Sequence, residues 1–215
     1  MALHGRFTLK VESPDVYIEA VFAPMESAEA WVNPFTDIKE SDWFYADVSY
    51  ACRKKWMNGV GGGLFDPQAS LTRGTFVTVL YRFALWPETH GNTFRDVPAG
   101  IWYEEPVAWA SECGIVNGIG DGLFGPNNPI SREQMATMVY RYMKYCGYDV
   151  SAGDNVDLSV FADADTISDY ARDAMRWAVG SGLFKGRTAT ELAPGGFATR
   201  AEIATVFRRL ENLLK

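Results

Sequence analysis

Three arginines hold equivalent places in this sequence, and the residues before them are the ones that start helices. Arg73, Arg132 and Arg200 follow Thr72, Ser131 and Thr199, whose hydroxyls suit the N-cap because they accept a backbone N–H of the first turn. Ser131 with Gln134, and Thr199 with Glu202, complete the reciprocal capping box. Each arginine then falls at the first helical position, where the macrodipole disfavours a cation by a few tenths of a kcal/mol. Two readings are open. Free N–H groups and a guanidinium fork together make a site for a carboxylate or phosphate. Alternatively, each arginine pairs with the aspartate of its own segment, Asp37, Asp96 or Asp163. A second arginine row, Arg82, Arg141 and Arg209, lies 9 residues further on. There a cation suits the helix end, and the role expected is structural.

Other chemistry has less support. Trp43, Trp102, Trp109 and Trp177 could stack on sugar rings, although aromatics at repeated positions serve first as packing. The Gly-rich stretches lack the Gly-x-x-x-x-Gly-Lys-Ser/Thr phosphate loop. Asp121-Gly122 lacks the alternating ligands and the final Glu of a calcium loop. Cys52, Cys113 and Cys146 read as buried free thiols. With only His4 and His90 besides, neither a zinc site nor a nucleophile–histidine pair is supported. Acidic residues are plentiful, but acids repeated in three equivalent places resemble architecture or triplicate binding sites more than one asymmetric active centre. No catalytic residue, metal or cofactor is expected.

The net charge of −7 argues against general nucleic-acid binding, which needs clustered positive charge. No apolar run reaches the length of a membrane span, and the N-terminus does not read as a signal peptide. A hydrophobic content of 47% allows a sizeable core.

The elements that must position the arginines come in three copies. Each copy opens with Phe-x-Asp at Phe35, Phe94 or Phe161, and the interval from that Phe to the arginine is 38, 38 and 39 residues. A Gly-to-Pro stretch (Gly59–Pro67, Gly118–Pro126, Gly186–Pro194) precedes each arginine and breaks the helix. An aromatic cluster and a first helix follow the opening, as in Val48, Ala51, Cys52 or Ala174, Trp177, Ala178. The second helix has apolar residues at i, i+3, i+4 and i+7: Phe76, Val79, Leu80, Phe83; Met135, Met138, Val139, Tyr142; Ile203, Val206, Phe207, Leu210. Such a helix pair cannot bury its apolar face alone, so the copies must share one core. The fold class expected is all-α, with three helix–loop–helix repeats over residues 33–86, 92–146 and 158–215. Residues 1–24 alternate in polarity and read as two strands left from an upstream β-domain, with 25–32 as linker.

Phe-x-Asp, then Trp-Tyr, then Gly-x-Gly-Asp-Gly-x-Phe-x-Pro, then Ile/Leu-Thr/Ser-Arg resembles the S-layer homology (SLH) repeat, over residues 34–210. The resemblance implies a pseudo-threefold, three-pronged α-helical domain around a central helical bundle. It implies an extracellular, non-enzymatic module that anchors a bacterial surface protein to the cell wall. The partner implied is an anionic secondary cell-wall polysaccharide, often ending in pyruvylated N-acetylmannosamine, or a modified peptidoglycan, held in grooves between repeats. A protein–protein scaffold at the cell surface, or an accessory module of a glycan-processing enzyme, is the alternative. The ligand-binding positions carried over are Arg73, Arg132 and Arg200, Asp37, Asp96 and Asp163, and Gly59, Gly118 and Gly186, with Trp43 and Trp102 beside them. Only repeat 3 keeps Thr199-Arg200-Ala201-Glu202. Repeat 2 has Ser131-Arg132-Glu133-Gln134, repeat 1 has Thr72-Arg73-Gly74-Thr75, and Arg187-Thr188-Ala189-Thr190 replaces most loop glycines in repeat 3.

Overall fold

The computed structural model describes residues 31–91 and 94–215. The two strands expected over 1–24 and nearly all of the 25–32 linker lie outside the described residues. At the edge of that linker, Trp31 packs edge-on against Tyr45, with ring centroids 5.6 Å apart.

Six α-helices and three short 3₁₀ turns make up the described chain, with no strand beyond isolated bridges. The first helices of the repeats are α1 (Tyr45–Arg53), α3 (Glu104–Glu112) and α5 (Arg172–Gly180). The second helices are α2 (Arg73–Phe83), α4 (Arg132–Tyr145) and α6 (Arg200–Leu213). Each second helix starts where its hydroxyl cap dictates. Thr72, Ser131 and Thr199 accept the backbone N–H of Thr75, Gln134 and Glu202, and the full capping box closes in α4 and α6. All twelve apolar positions of the second helices are buried. Phe83 and Phe207 meet at 5.4 Å, Phe76 and Phe207 at 5.7 Å, and Phe83 and Tyr142 at 6.1 Å. Residues from α2, α4 and α6 therefore share one core, each buried aromatic contributing about 1.5–3 kcal/mol.

The helices pair between repeats. α2 packs on α3, α4 on α5, and α6 returns to α1. The segments entering the second helices link the three repeats with three backbone hydrogen bonds: Leu71 N–H to Ala198 O at 3.1 Å, Ile130 N–H to Leu71 O at 2.9 Å, and Ala198 N–H to Ile130 O at 3.1 Å. Polar contacts fix the closing pair. Asp47 of α1 accepts the Thr205 hydroxyl at 2.6 Å and Arg208 Nη1–H at 2.8 Å, and Tyr50 donates to Glu211.

Candidate functional site

Repeat 2 shows how the repeated residues are used. The Asp96 carboxylate accepts the N–H of Phe124 at 2.8 Å and of Gly125 at 2.7 Å, fixing the loop that follows α3. The carbonyl of that same Phe124 accepts Arg73 Nε–H at 3.0 Å, and the guanidinium lies 4.8 Å from the Phe124 ring centroid. In repeat 3, Asp163 holds the amides of Leu192 and Ala193, and Leu192 O accepts Arg132 Nε–H at 2.8 Å. In repeat 1, Asp37 holds the amides of Phe65 and Asp66, and Phe65 O accepts Arg200 Nε–H at 2.6 Å.

Arginine and aspartate thus converge on one peptide, but they come from different repeats. Each arginine reaches into the next repeat, and Arg200 returns to the first. Pairing with the aspartate of its own repeat does not occur. The reason is the placement of the second-helix N-terminus, which is docked on the neighbouring loop. Arg73 N–H bonds to Asn128 O and Gly74 N–H to Pro126 O, both at 2.9 Å, with counterparts at Arg132 and Glu133 and at Arg200 and Ala201. These bonds also correct the sequence argument for an anion site. The first-turn amides are spent on backbone carbonyls and on the caps, so none is left for a ligand, and recognition would have to come from the guanidinium groups.

Those groups are buried, with Arg73, Arg132 and Arg200 only 4%, 5% and 9% exposed. Desolvation pulls all three below the ordinary arginine value. An arginine does not deprotonate in proteins, and nearby acids offset the burial only in part: Asp96 for Arg73, Glu202 and Asp163 for Arg132, Asp66 and Asp37 for Arg200. The three differ in what else they hold. Arg132 Nη2–H donates to Lys185 O at 3.0 Å, and Arg200 Nη2–H donates to Asn58 O. The terminal nitrogens of Arg73 make no hydrogen bond or ion pair among the described residues. No buried side-chain nitrogen or oxygen among them lacks a partner, so these donors are open to the groove.

That groove is a cavity of about 400 Å³ lined by Arg73 of repeat 1, by Gly118, Gln134, Thr137 and Arg141 of repeat 2, and by Tyr170 of repeat 3. It contains two guanidinium groups and no carboxylate. A second cavity of about 270 Å³ has the corresponding residues one repeat on: Arg132, Gly186, Glu202, Thr205 and Arg209, with Trp43 of repeat 1 at its edge. Arg141 and Arg209 were expected to be structural. They do bond to Ile115 O at 3.4 Å and Leu183 O at 3.1 Å, yet they also line the grooves beside Arg73 and Arg132. Tyr170, absent from the candidate positions above, also lines the Arg73 groove. Its ring is half-exposed, and its hydroxyl donates to Glu133 at 3.2 Å, which seats it at the groove.

The remaining candidates divide. A Cβ on Gly118 would stand 2.5 Å from Leu123 O and 2.8 Å from the Phe94 ring, at a φ of +76°. One on Gly59 would meet Phe35 at 2.5 Å, and one on Gly186 would meet Thr188 O at 2.3 Å. These glycines let the opening phenylalanine lie under the loop, and Gly118 and Gly186 also line the two cavities. Trp43 and Trp102 are 65% and 58% exposed, available to stack on a ligand, whereas Trp109 and Trp177 are core. The three thiols are free, but Cys52 and Cys113 are half-buried and Cys146 is exposed, so the expectation of full burial does not hold.

The S-layer homology domain model matches residues 34–77, 93–136 and 160–204. The chain belongs to the S-layer homology family. Its three SLH repeats are similar to segments of much longer proteins. An endoglucanase of Bacillus sp. (strain KSM-635) is 31% identical over 90% of this chain and 21% of its own length. A surface-layer 125 kDa protein of Lysinibacillus sphaericus is 30% identical over 97% of this chain and 17% of its own. A cellulosome-anchoring protein of Acetivibrio thermocellus is 25% identical over 73% of this chain and 36% of its own. The SLH chain therefore spans well under half of each of these relatives. No helix among the described residues is long and apolar enough to cross a membrane.

Proposed function

We propose that this chain anchors a surface protein non-covalently to the bacterial cell wall, by binding an anionic wall polysaccharide in grooves between its SLH repeats. Membership of the SLH family and similarity to surface-layer and cellulosome-anchoring proteins support cell-surface anchoring. The observation that carries the ligand chemistry is Arg73, a buried guanidinium whose terminal donors face a groove with a second guanidinium and no acid. A carboxylate there would recover the desolvation cost and accept a bidentate fork. A pyruvyl ketal on a terminal sugar supplies such a carboxylate, and Tyr170 or Trp43 supplies an aromatic face for the sugar ring. A non-catalytic role is supported by the state of the repeated acids. Asp37, Asp96 and Asp163 each accept two backbone amides, an arrangement that employs these three carboxylates in holding loops.

The test is calorimetric titration of the chain with wall saccharide before and after hydrolysis of its pyruvyl groups. Binding is expected only with the ketal present. Equal affinity for the two preparations would overturn carboxylate recognition, and failure of deproteinised walls to retain the chain would overturn anchoring itself.

A further inference from the structure

We propose that the grooves of this chain are inequivalent: an Arg187–Glu202 latch fills the anion position of the repeat 3 groove with the protein's own carboxylate, while the Arg73 groove stays open. The inference rests on the anion-binding reading above and specifies where it operates.

Glu202 is the third residue of α6, and as a cap it needs only one oxygen. Its Oε2 accepts Thr199 N–H at 2.8 Å. The same carboxylate also receives Arg187 Nη2–H, at 3.1 Å to Oε1 and 3.2 Å to Oε2, while Arg132 Nη1 stands 3.5 Å from Oε1. Arg187 is itself tied down by donating to Phe197 O at 2.8 Å. Arg132 thereby already has a hydrogen bond to Lys185 O and the Glu202 carboxylate beside its other terminal nitrogen, and an incoming carboxylate would have to displace the internal one.

Repeat 2 lacks both halves of this device. Gln134 stands where Glu202 does, uses its Oε1 to accept Ser131 N–H at 3.3 Å, and brings no negative charge. In the loop, Ile119 and Gly120 stand where repeat 3 has Arg187 and Thr188. Arg73 consequently keeps its terminal donors free, in a cavity of about 400 Å³ against about 270 Å³ in repeat 3. Repeats alike in sequence pattern thus present one open fork and one occupied fork.

The experiment follows the arginine side-chain Nε–H signals by NMR while the whole chain is titrated with pyruvate, a minimal carboxylate. In the native chain, pyruvate is expected to move the Arg73 signal at concentrations at least about tenfold below any that move Arg132, the ratio equivalent to about 1.4 kcal/mol. In the R187A/E202Q double variant, Arg132 should respond in the same range as Arg73. Glutamine preserves the cap, as Gln134 does in α4, so the variant keeps its helix. A single E202Q variant checks that the released charge, and not loop rearrangement, is responsible. Equal response of the two arginines in the native chain would overturn the inference, as would an unresponsive Arg73 or an Arg132 still silent in the double variant. Retention by deproteinised walls reports separately on anchoring, so the two failures are distinguishable.

Discussion

Replacing Arg73 by alanine tests whether these arginines hold the fold as well as any ligand. The change strips the Phe124 carbonyl of its 3.0 Å donor, and an acceptor left without a partner in a buried setting costs about 1–3 kcal/mol. It also removes a guanidinium 4.8 Å from the Phe124 ring, a contact of about 0.5–2 kcal/mol. Relief of the desolvation that lowers the Arg73 pKa works in the opposite direction and trims the total. A net loss of about 2–4 kcal/mol should lower the melting temperature by about 5–15 °C in a domain of this size. Circular dichroism melts of native and R73A chains measure it directly. A shift below about 2 °C would refute the clamp, because it would mean that the Phe124 carbonyl finds another donor or water at no cost. Wall retention by R73A must then be compared well below its new midpoint, so that unfolding is not mistaken for a lost ligand contact. Arg73→Lys should keep the charge but lose the planar fork, giving weakened wall retention with a helical spectrum at low temperature.

Two more outcomes follow from the same geometry. Gly118→Ala should lower stability by about 2 kcal/mol or more, since the new methyl meets Leu123 O at 2.5 Å in backbone at positive φ; urea titration checks it. Cys52 is pushed up to about 11 by burial, against an ordinary value of 9.0. A thiol whose folded value is raised contributes its full stability below the unfolded value and loses it as pH climbs through the folded one. Stability should accordingly fall between about pH 9 and 11 and fall less in Cys52→Ala, as followed by pH-stepped urea unfolding.

The helix starts and the buried faces were legible in the residues because each depends on spacing within one segment. Thr72, Ser131 and Thr199 cap the helices through bonds to residues three places on, and a 3.6-residue period names Phe76 or Met135 as buried whatever it packs against. The aspartates were legible as repeated, but not their partners. Arg73 can face Asp37 or Asp96 with equal local logic, since every repeat carries the same arginine and aspartate. The choice between a contact within a repeat and one with the next belongs to the packing of α2 on α3, α4 on α5 and α6 on α1. That packing also spent the first-turn amides, which one of the two open sequence readings had offered to an anion.

What the sequence determined by itself was therefore the unit: a capped, amphipathic helix pair with an arginine at one junction and an aspartate-held loop. The tertiary structure decided what the units make together. A groove built from Arg73 of one repeat, Arg141 of the next and Tyr170 of the third exists only once the three repeats pack together, because it draws on residues nearly a hundred positions apart. The difference between a free Arg73 and a latched Arg132 likewise depends on where Arg187 and Glu202 meet in space. Periodicity reports which side of a helix turns inward, whereas electrostatic pairing across repeats depends on distances set by the packed core.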